Sequence, residues 1–206
     1  MLTTIITGPQ SVSDSVATTA RGGRQGDQIV SELHGRYFEQ TLRKNTFNVA
    51  TVAAGVTTVG LATTYTGLML QNPYTSTVDV VLNKCTFMQS VIQATTLSGV
   101  GIAFGYTAGA NATSVTAVAT RSNYIGSGIA SQANAGTIAT LSSAPFYHTF
   151  LANSQTAILN NNPVHIDFEG LVILPPGAFA CWVTAAVSPA SSMWFSYNWE
   201  EVPRIG

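Results

Sequence analysis

Charged side chains are scarce in this sequence. Lysine, arginine, aspartate and glutamate make up 8% of its 206 residues, whereas an ordinary soluble domain contains about 25%. Threonine, serine, asparagine, alanine and glycine fill the shortfall. Because neutral, hydroxyl-rich surfaces repel one another little, this composition favours a protein that packs into an assembly. It argues against nucleic acid as a partner, since binding to phosphates requires clustered lysine and arginine.

Cysteine is almost absent as well. The two cysteines, Cys85 and Cys181, are too few for a disulfide framework. Each falls in a predicted core strand, so we expect buried free thiols, with a single Cys85–Cys181 bridge as the alternative. A chain of this length buries enough surface to fold with neither disulfide nor metal.

The sequence also lacks the usual membrane-directing segments. Its start, MLTTIITGPQSV, has neither the positive n-region nor the long apolar h-region of a secretory signal. The charge-free run from Ala50 to Leu70 is long enough for a membrane-spanning helix, but six threonines and three glycines interrupt it. We therefore expect no membrane partner.

The few charges that are present cluster near the start. Residues 1–45 carry nine of the seventeen, which predicts a boundary near Asn45 between an N-terminal portion and a domain of residues 46–206. Residues 1–27 are polar and aperiodic, and are predicted to form an extended arm ordered only against a partner. Residues 28–45 have apolar side chains at helical spacing and predict a short helix, with Asp27 as its N-cap and Arg43 and Lys44 suited to its C-terminal end.

Everything after Asn45 predicts β-structure. Segments rich in threonine, valine and aromatic residues alternate at fairly regular spacing with turns of glycine, asparagine, serine and proline. Eight to ten such strands predict an all-β, jelly-roll-like antiparallel β-sandwich.

The segment 76–95 is long for a strand and is predicted to bend or bulge near Lys84. Its alternation predicts apolar side chains on both faces. The first face would carry Val78, Val80 and Leu82, and the second Val81, Cys85 and Phe87.

Two late strands, residues 171–174 and 179–187, flank the turn Pro175-Pro176-Gly177 and are apolar on both faces. Such strands are predicted to lie centrally, with one face in the core and the other against something else. The last strand also has aromatic residues on both faces, which suggests an intersubunit contact. We therefore expect a homo-oligomer, a trimer rather than a dimer.

The best candidate for chemistry is the set His165, Asp167 and Glu169, which period two places on one face of a strand. These residue types could bind a divalent metal or support acid–base catalysis. One strand seldom supplies a whole coordination sphere, so a half-exposed structural strand is the preferred interpretation. Nucleophile-elbow and dinucleotide-binding motifs are absent. We expect no enzyme activity, metal or cofactor.

Four stretches carry a resemblance to a known family: SELHGRYFEQTLRKNTF, LMLQNPYTSTVDVVL, GLVILPPGAFACWV and MWFSYNWEEVP. With them, residues 46–206 resemble the jelly-roll decoration, or cement, proteins on the heads of tailed bacteriophages. The resemblance implies a non-enzymatic virion protein, made in the host cytoplasm and placed on the capsid exterior. It would bind across neighbouring subunits of the major capsid protein as an oligomer and stabilise the shell. The residues predicted to contact partners are Arg21, Arg24, Arg36, Tyr37, Trp194 and Trp199.

Two other function classes remain open. A receptor- or glycan-binding tip of a phage fibre or tail would use the tryptophans as an exposed aromatic platform. A metal-dependent jelly-roll enzyme would bring His165, Asp167 and Glu169 together with a further ligand, although the His-x-His motif of cupins is missing.

Overall fold

The computed structural model describes residues 35–52, 61–89, 98–153, 163–184 and 193–204. The chain divides into two compact units, Met1–Glu39 and Gln40–Gly206, so the predicted boundary at Asn45 lies within the second. Only residues 35–39 of the first unit are described. The predicted arm, including Arg21 and Arg24, lies outside the described residues.

The helix α1 spans Phe38–Leu42, and the earlier part of the predicted helix, residues 28–34, lies outside the described residues. Lys44 follows α1 with a φ of +64°. The Lys44 N–H donates to the Thr41 carbonyl at 2.9 Å, and the Asn45 N–H to the Gln40 carbonyl at 3.0 Å. This is a Schellman cap, a common helix ending that usually places glycine at the left-handed position. No helix in the described ranges is long and apolar enough to span a bilayer.

Twelve strands account for most of the described chain, and the predicted all-β class is confirmed. The strands are β1 (Thr46–Ala50), β2 (Thr64–Tyr65), β3 (Met69–Gln71), β4 (Val78–Gln89), β5 (Ser98–Tyr106), β6 (Thr113–Val118), β7 (Arg121–Ser122), β8 (Asn134–Thr140), β9 (Phe146–Asn153), β10 (Val164–Leu174), β11 (Ala178–Thr184) and β12 (Met193–Pro203).

The strands form two antiparallel sheets. One has five strands in the order β10-β4-β12-β1-β7. The other has seven strands in the order β2-β8-β3-β11-β5-β9, with β6 paired to β8. The two sheets pack as a sandwich, which confirms the predicted jelly-roll-like arrangement.

The core between the sheets is dominated by aromatic side chains. Trp182 of β11 lies 5.5 Å from the ring of Phe87, 5.4 Å from Phe195 and 6.1 Å from Tyr197. These three partners come from β4 and β12 of the opposite sheet, so one fully buried indole joins the two layers. Aromatic pairs at these distances stabilise a core beyond the area that they bury.

The strand β11 is buried on both faces, as predicted. Ala178, Ala180 and Trp182 face the core between the sheets, while the alternate residues face a second cluster. The buried members of that cluster are Tyr65, Met69, Ala103, Ala112, Ala139, Leu141, Phe179, Cys181 and Val183. Because this chain supplies the whole cluster, the second face of β11 is not left for another subunit.

The strand β10 departs from the prediction of a central position. It forms the edge of the five-stranded sheet, next to β4. The turn between β10 and β11 is present: the Ala178 N–H donates to the Pro175 carbonyl at 2.9 Å, and Gly177 has a φ of +92°. The turn carries the chain from one sheet to the other, so β10 and β11 are not paired neighbours. An apolar run shows that a strand is suited to burial, but not how many neighbours cover it.

The predicted bulge in β4 is confirmed, and its effect on side-chain direction was missed. Asn198 of β12 pairs with Lys84 while Trp199 pairs with Leu82, which leaves Asn83 as the extra residue. One extra residue reverses the alternation beyond it. Cys85 and Phe87 therefore face the same core as Leu82, and their predicted placement on the opposite face is wrong.

Both cysteines are free and buried, which confirms the expected thiols and excludes the Cys85–Cys181 bridge in this fold. Cys85 lies in the core between the sheets, and Cys181 lies in the cluster on the other face of β11. Burial raises the pKa of the Cys181 thiol to about 12 and that of Cys85 well above its ordinary value. Thiols held protonated in this way are poor nucleophiles.

Candidate functional site

The predicted chemical triplet lies on the edge strand β10, and its members are exposed. His165 Nδ1 lies 3.0 Å from Thr86 Oγ1, and Asp167 forms an ion pair of 3.4 Å with Lys84. Both neighbours lie across the ladder on β4. His165 and Asp167 are thus each engaged with a different residue of the adjacent strand.

The third member, Glu169, lies within a large irregularity of β10. Asp167 pairs with Lys84 but the next registered pair is Val172 with Leu82, so β10 contains three more residues than β4 between these points. Glu169 and Gly170 have φ values of +51° and +88° and form the bend. Among the described residues, no group of three or more histidine, cysteine, aspartate or glutamate side chains could hold a metal ion.

The two tryptophans predicted to contact partners have different environments. Trp199 is fully buried and its ring stacks on Phe47 at 6.2 Å, so the prediction that it faces a partner is wrong. Trp194 is half-buried on the outer face of the five-stranded sheet, opposite Met88. Because β12 alternates regularly, its other large aromatic residues point into the core.

The remaining predicted partner contacts fall near the start of the described chain. The Arg36 guanidinium lies 5.7 Å from the centre of the Tyr37 ring, a cation–π distance. Arg21 and Arg24 lie outside the described residues.

Three asparagines form a cluster on the outer face of the five-stranded sheet where β1, β7 and β12 meet, beside the exposed Arg121, which pairs with Asn48. Asn48 donates from Nδ2 to Asn123 Oδ1 at 2.6 Å, and Asn123 donates from Nδ2 to Asn198 Oδ1 at 3.3 Å. Glu200 lies on the same face, paired across the strands with Thr46 and Val81. Burial raises the pKa of this carboxyl, so the face disfavours its negative charge.

An apolar groove lies where β9 and β10, edge strands of the two sheets, come together. It encloses about 320 Å³. Four large side chains line it with more than half of their surface exposed: Leu171 (79%), Phe146 (58%), Ile173 (55%) and Tyr106 (54%). No lysine, arginine, aspartate or glutamate is among its described lining residues. We call this feature the edge groove.

The floor of the edge groove is aromatic. His148 packs edge-on against Phe104, with ring centres 5.2 Å apart, and against Phe168, at 5.7 Å. Phe104 comes from the seven-stranded sheet and Phe168 from the five-stranded sheet. Within the described residues, the groove therefore lies at one side of the sandwich, at the boundary between the two layers.

A second exposed apolar feature is the segment of residues 123–130, which we call the apolar loop. It follows β7 at the opposite edge of the five-stranded sheet from β10. Ile125 is 84% exposed, and Tyr124 and Ile129 are also exposed. Gly126 and Gly128 have φ values of +82° and +69°, and the Ser127 N–H donates to the Tyr124 carbonyl at 3.0 Å. The loop is therefore a defined turn that presents aliphatic side chains to solvent.

Both ends of the apolar loop are fixed to the sandwich. At its start the Asn123 N–H donates to the Thr46 carbonyl at 2.9 Å. At its end the buried Glu201 carboxylate accepts hydrogen bonds from the Gln132 N–H at 2.9 Å, the Ala133 N–H at 3.2 Å and the Ser131 hydroxyl. The role of Glu201 was missed, although its period-two spacing from Trp199 already places it on the inner face of β12.

A second depression, of about 480 Å³, lies on the seven-stranded sheet among β3, β6 and β8. Small and neutral side chains dominate its lining, and no aromatic residue is among those described there. A sugar-binding site usually offers an aromatic ring for stacking, so this depression does not provide the platform expected of a glycan-binding tip.

Comparisons of the chain with protein-family models, with curated proteins and with solved structures find no match.

Proposed function

We propose that this chain is a virion structural protein, a decoration or cement protein of a tailed-bacteriophage head. It attaches as a homo-oligomer to the capsid exterior, across neighbouring subunits of the major capsid protein, and stabilises the shell. The observation that carries the proposal is the edge groove, because four large apolar side chains exposed together on one edge mark a site of protein association. The scarcity of charge over the whole chain supports the same role.

The arrangement of the polar residues supports a structural role over an enzymatic one. His165 is engaged with Thr86, and Asp167 is engaged with Lys84, each across the ladder between β10 and β4. A catalytic site needs such groups to converge on a reacting atom in a concave pocket. Here they lie along an exposed edge, and Glu169 lies in the bend of β10, outside the regular ladder.

The tryptophans give no support to a fibre-tip role. Trp182 and Trp199 are fully buried, and Trp194 is half-buried. A glycan platform requires exposed rings that lie side by side. The rival role is therefore retained as an outcome of the experiment and not as a second proposal.

Purified protein incubated with undecorated heads of the encoding phage tests the proposal. We expect the protein to pellet with the heads in tens to hundreds of copies and to raise the temperature at which heated heads release DNA. Attachment of only a handful of copies, or attachment to tails alone, would support the fibre role and overturn the proposal. Serum albumin added at the same concentration controls for trapping in the pellet.

A further inference from the structure

The geometry points to a head-to-tail contact between copies, in which the apolar loop of one copy (residues 123–130) inserts into the edge groove of the next. The occupant of the groove is thus a second copy of this chain. The inference rests on the proposed function for its setting, because that function calls for an oligomer. It specifies which surfaces of the oligomer meet.

The positions of the two features on the sheet determine the type of contact. The edge groove lies at β10 and the apolar loop follows β7, the two outer strands of the five-stranded sheet. Five strands spaced by about 4.8 Å put these edges roughly 20 Å apart. A contact between two different patches on opposite edges is heterologous, and repeated copies of it form either a closed ring or an open filament.

The two surfaces match in chemistry. The apolar loop, NYIGSGIA, contains no charged residue, and none of the four charged residue types lines the described groove. Burying the side chains of the loop in the groove therefore desolvates no charged group of either surface, and the one cation beside the loop among the described contacts, Lys44, already lies 5.7 Å from the centre of the Tyr124 ring. Ile125 and Leu171, the most exposed apolar side chains of the loop and of the groove, would be covered together.

The apolar loop has a fixed conformation before it contacts another copy. Its turn is closed by the hydrogen bond between Ser127 and Tyr124, its glycines adopt left-handed conformations without strain, and its end is held by Glu201. An already ordered loop loses little conformational entropy on binding. The groove of about 320 Å³ is in the size range that holds a small ligand, and so it accommodates an aliphatic side chain.

Direct pairing of two β10 strands, the other obvious contact at this edge, is restricted by the strand itself. The bend at Glu169 and Gly170 interrupts the strand on one side, and Pro175 with Pro176 ends it on the other. Two short stretches, residues 164–167 and 171–174, remain as a regular edge, and bends and prolines are devices that protect edges from pairing. Side-chain insertion into the groove is therefore favoured over extension of the sheet.

Mixing two variants tests the inference in solution, without phage particles. Ile125→Ser damages the loop and leaves the groove intact, whereas Leu171→Ser damages the groove and leaves the loop intact. Both side chains are mostly exposed, so each variant should keep the fold and melting temperature of the wild type. Light scattering coupled to size-exclusion chromatography gives the number of copies, and Val52→Ser, at a residue that is 87% exposed elsewhere, is the matched control.

We expect the wild type and Val52→Ser to form rings of three or more copies at micromolar concentration. Each damaging variant alone should be monomeric, with association at least tenfold weaker. An equal mixture of the two should give a dimer, because the loop of the Leu171→Ser chain fits the groove of the Ile125→Ser chain.

Three results would overturn the inference: a monomeric wild type, an Ile125→Ser variant that assembles normally, or a mixture that contains only monomers. If Ile125→Ser assembles and Leu171→Ser does not, then the groove of one copy contacts the groove of another copy, and not its loop. Because head binding is measured separately, a monomer that still decorates heads would leave the decoration role standing, without its oligomer, while this contact fails. A ring that binds no heads would support the contact between copies and overturn the proposed function.

Discussion

A buried carboxylate on the last strand links the core to the surface. Glu201 accepts hydrogen bonds from two backbone N–H groups and the Ser131 hydroxyl, and its Oε1 lies 3.4 Å from Trp199 Nε1. Each of these groups donates a hydrogen bond, so the site requires a side chain that only accepts hydrogen bonds. A neutral amide of the same size would turn its NH₂ group toward one or more of them.

Glu201→Gln should therefore lower the free energy of unfolding by about 2–3 kcal/mol, since a buried hydrogen bond to a charged group is lost and a donor is left unsatisfied. Urea unfolding followed by tryptophan fluorescence measures the change. Asp167→Asn, which weakens only the exposed ion pair with Lys84, is the control and should change stability by less than about 1 kcal/mol. Equal stability of Glu201→Gln and wild type would show that the carboxylate is not what holds residues 131–133.

The partial burial of the neighbouring Glu200 predicts how the stability of the protein depends on pH. Burial raises the pKa of its carboxyl from the ordinary 4.5, so the folded state holds this proton more tightly than the unfolded state does. The stabilisation from the protonated form is fully present below the ordinary pKa and is lost as the pH rises through the folded-state pKa. Glu200→Gln, which cannot ionise, should gain stability relative to the wild type over the pH range above the ordinary pKa of 4.5. Parallel stability profiles of the two proteins across that range would contradict the assignment.

Elements were predictable from the sequence where the chain alternates regularly. The buried face of β12 and the complete burial of β11 follow from the spacing of their apolar residues. Prediction failed where an extra residue changes the spacing: Asn83 turns Cys85 and Phe87 to the core, and residues 168–171 interrupt β10. A bulge alters which face a residue occupies without altering composition, so hydrophobicity alone indicates the strand but not the direction of its side chains.

The turn between β10 and β11 gives a prediction at the scale of an element. Gly177 has a φ of +92°, and a Cβ added there would lie 2.6 Å from the Thr107 carbonyl oxygen. Gly177→Ala should lower the free energy of unfolding by about 2–4 kcal/mol, because it combines an unfavourable backbone conformation with a clash against backbone. Gly109→Ala is the matched control: its φ is +74° but no atom lies within 4 Å of the added Cβ.

The control should cost about 1–2 kcal/mol, the strain of the left-handed conformation alone. Thermal unfolding of the two variants gives the comparison. If both lose the same stability, the packing of Gly177 against Thr107 contributes nothing, and the crossing between the sheets depends only on the turn conformation.

At the scale of the whole molecule, the candidate surfaces could not be predicted from the sequence. The edge groove joins Tyr106, Phe146, Leu171 and Ile173, which are separated along the chain and meet only because β9 and β10 are sheet edges. The sequence does indicate a molecule with little charge and more apolar surface than usual. It attributed the excess to residues 171–174, to residues 179–187 and to the last strand. The second face of β11 is covered by this chain itself, whereas Leu171 and Ile173 of β10 are exposed, as is the loop after β7, which was not predicted.

The last prediction concerns the N-terminal arm. The described members of both hydrophobic clusters all follow Asn45, so deletion of residues 1–27 should leave the β-sandwich folded, with little change in melting temperature. Attachment to heads should weaken, because a polar segment that cannot fold alone gains order only from a partner. Arg21 and Arg24 would add ionic contacts worth at most about 1 kcal/mol each, and salt screens such contacts.

Truncated and full-length proteins are pelleted with undecorated heads over a salt series, and we expect the difference between them in the amount bound to shrink as salt rises. Equal binding of both proteins at every salt concentration would assign the whole contact to the β-sandwich, and its exposed apolar surfaces would then be the ones to test.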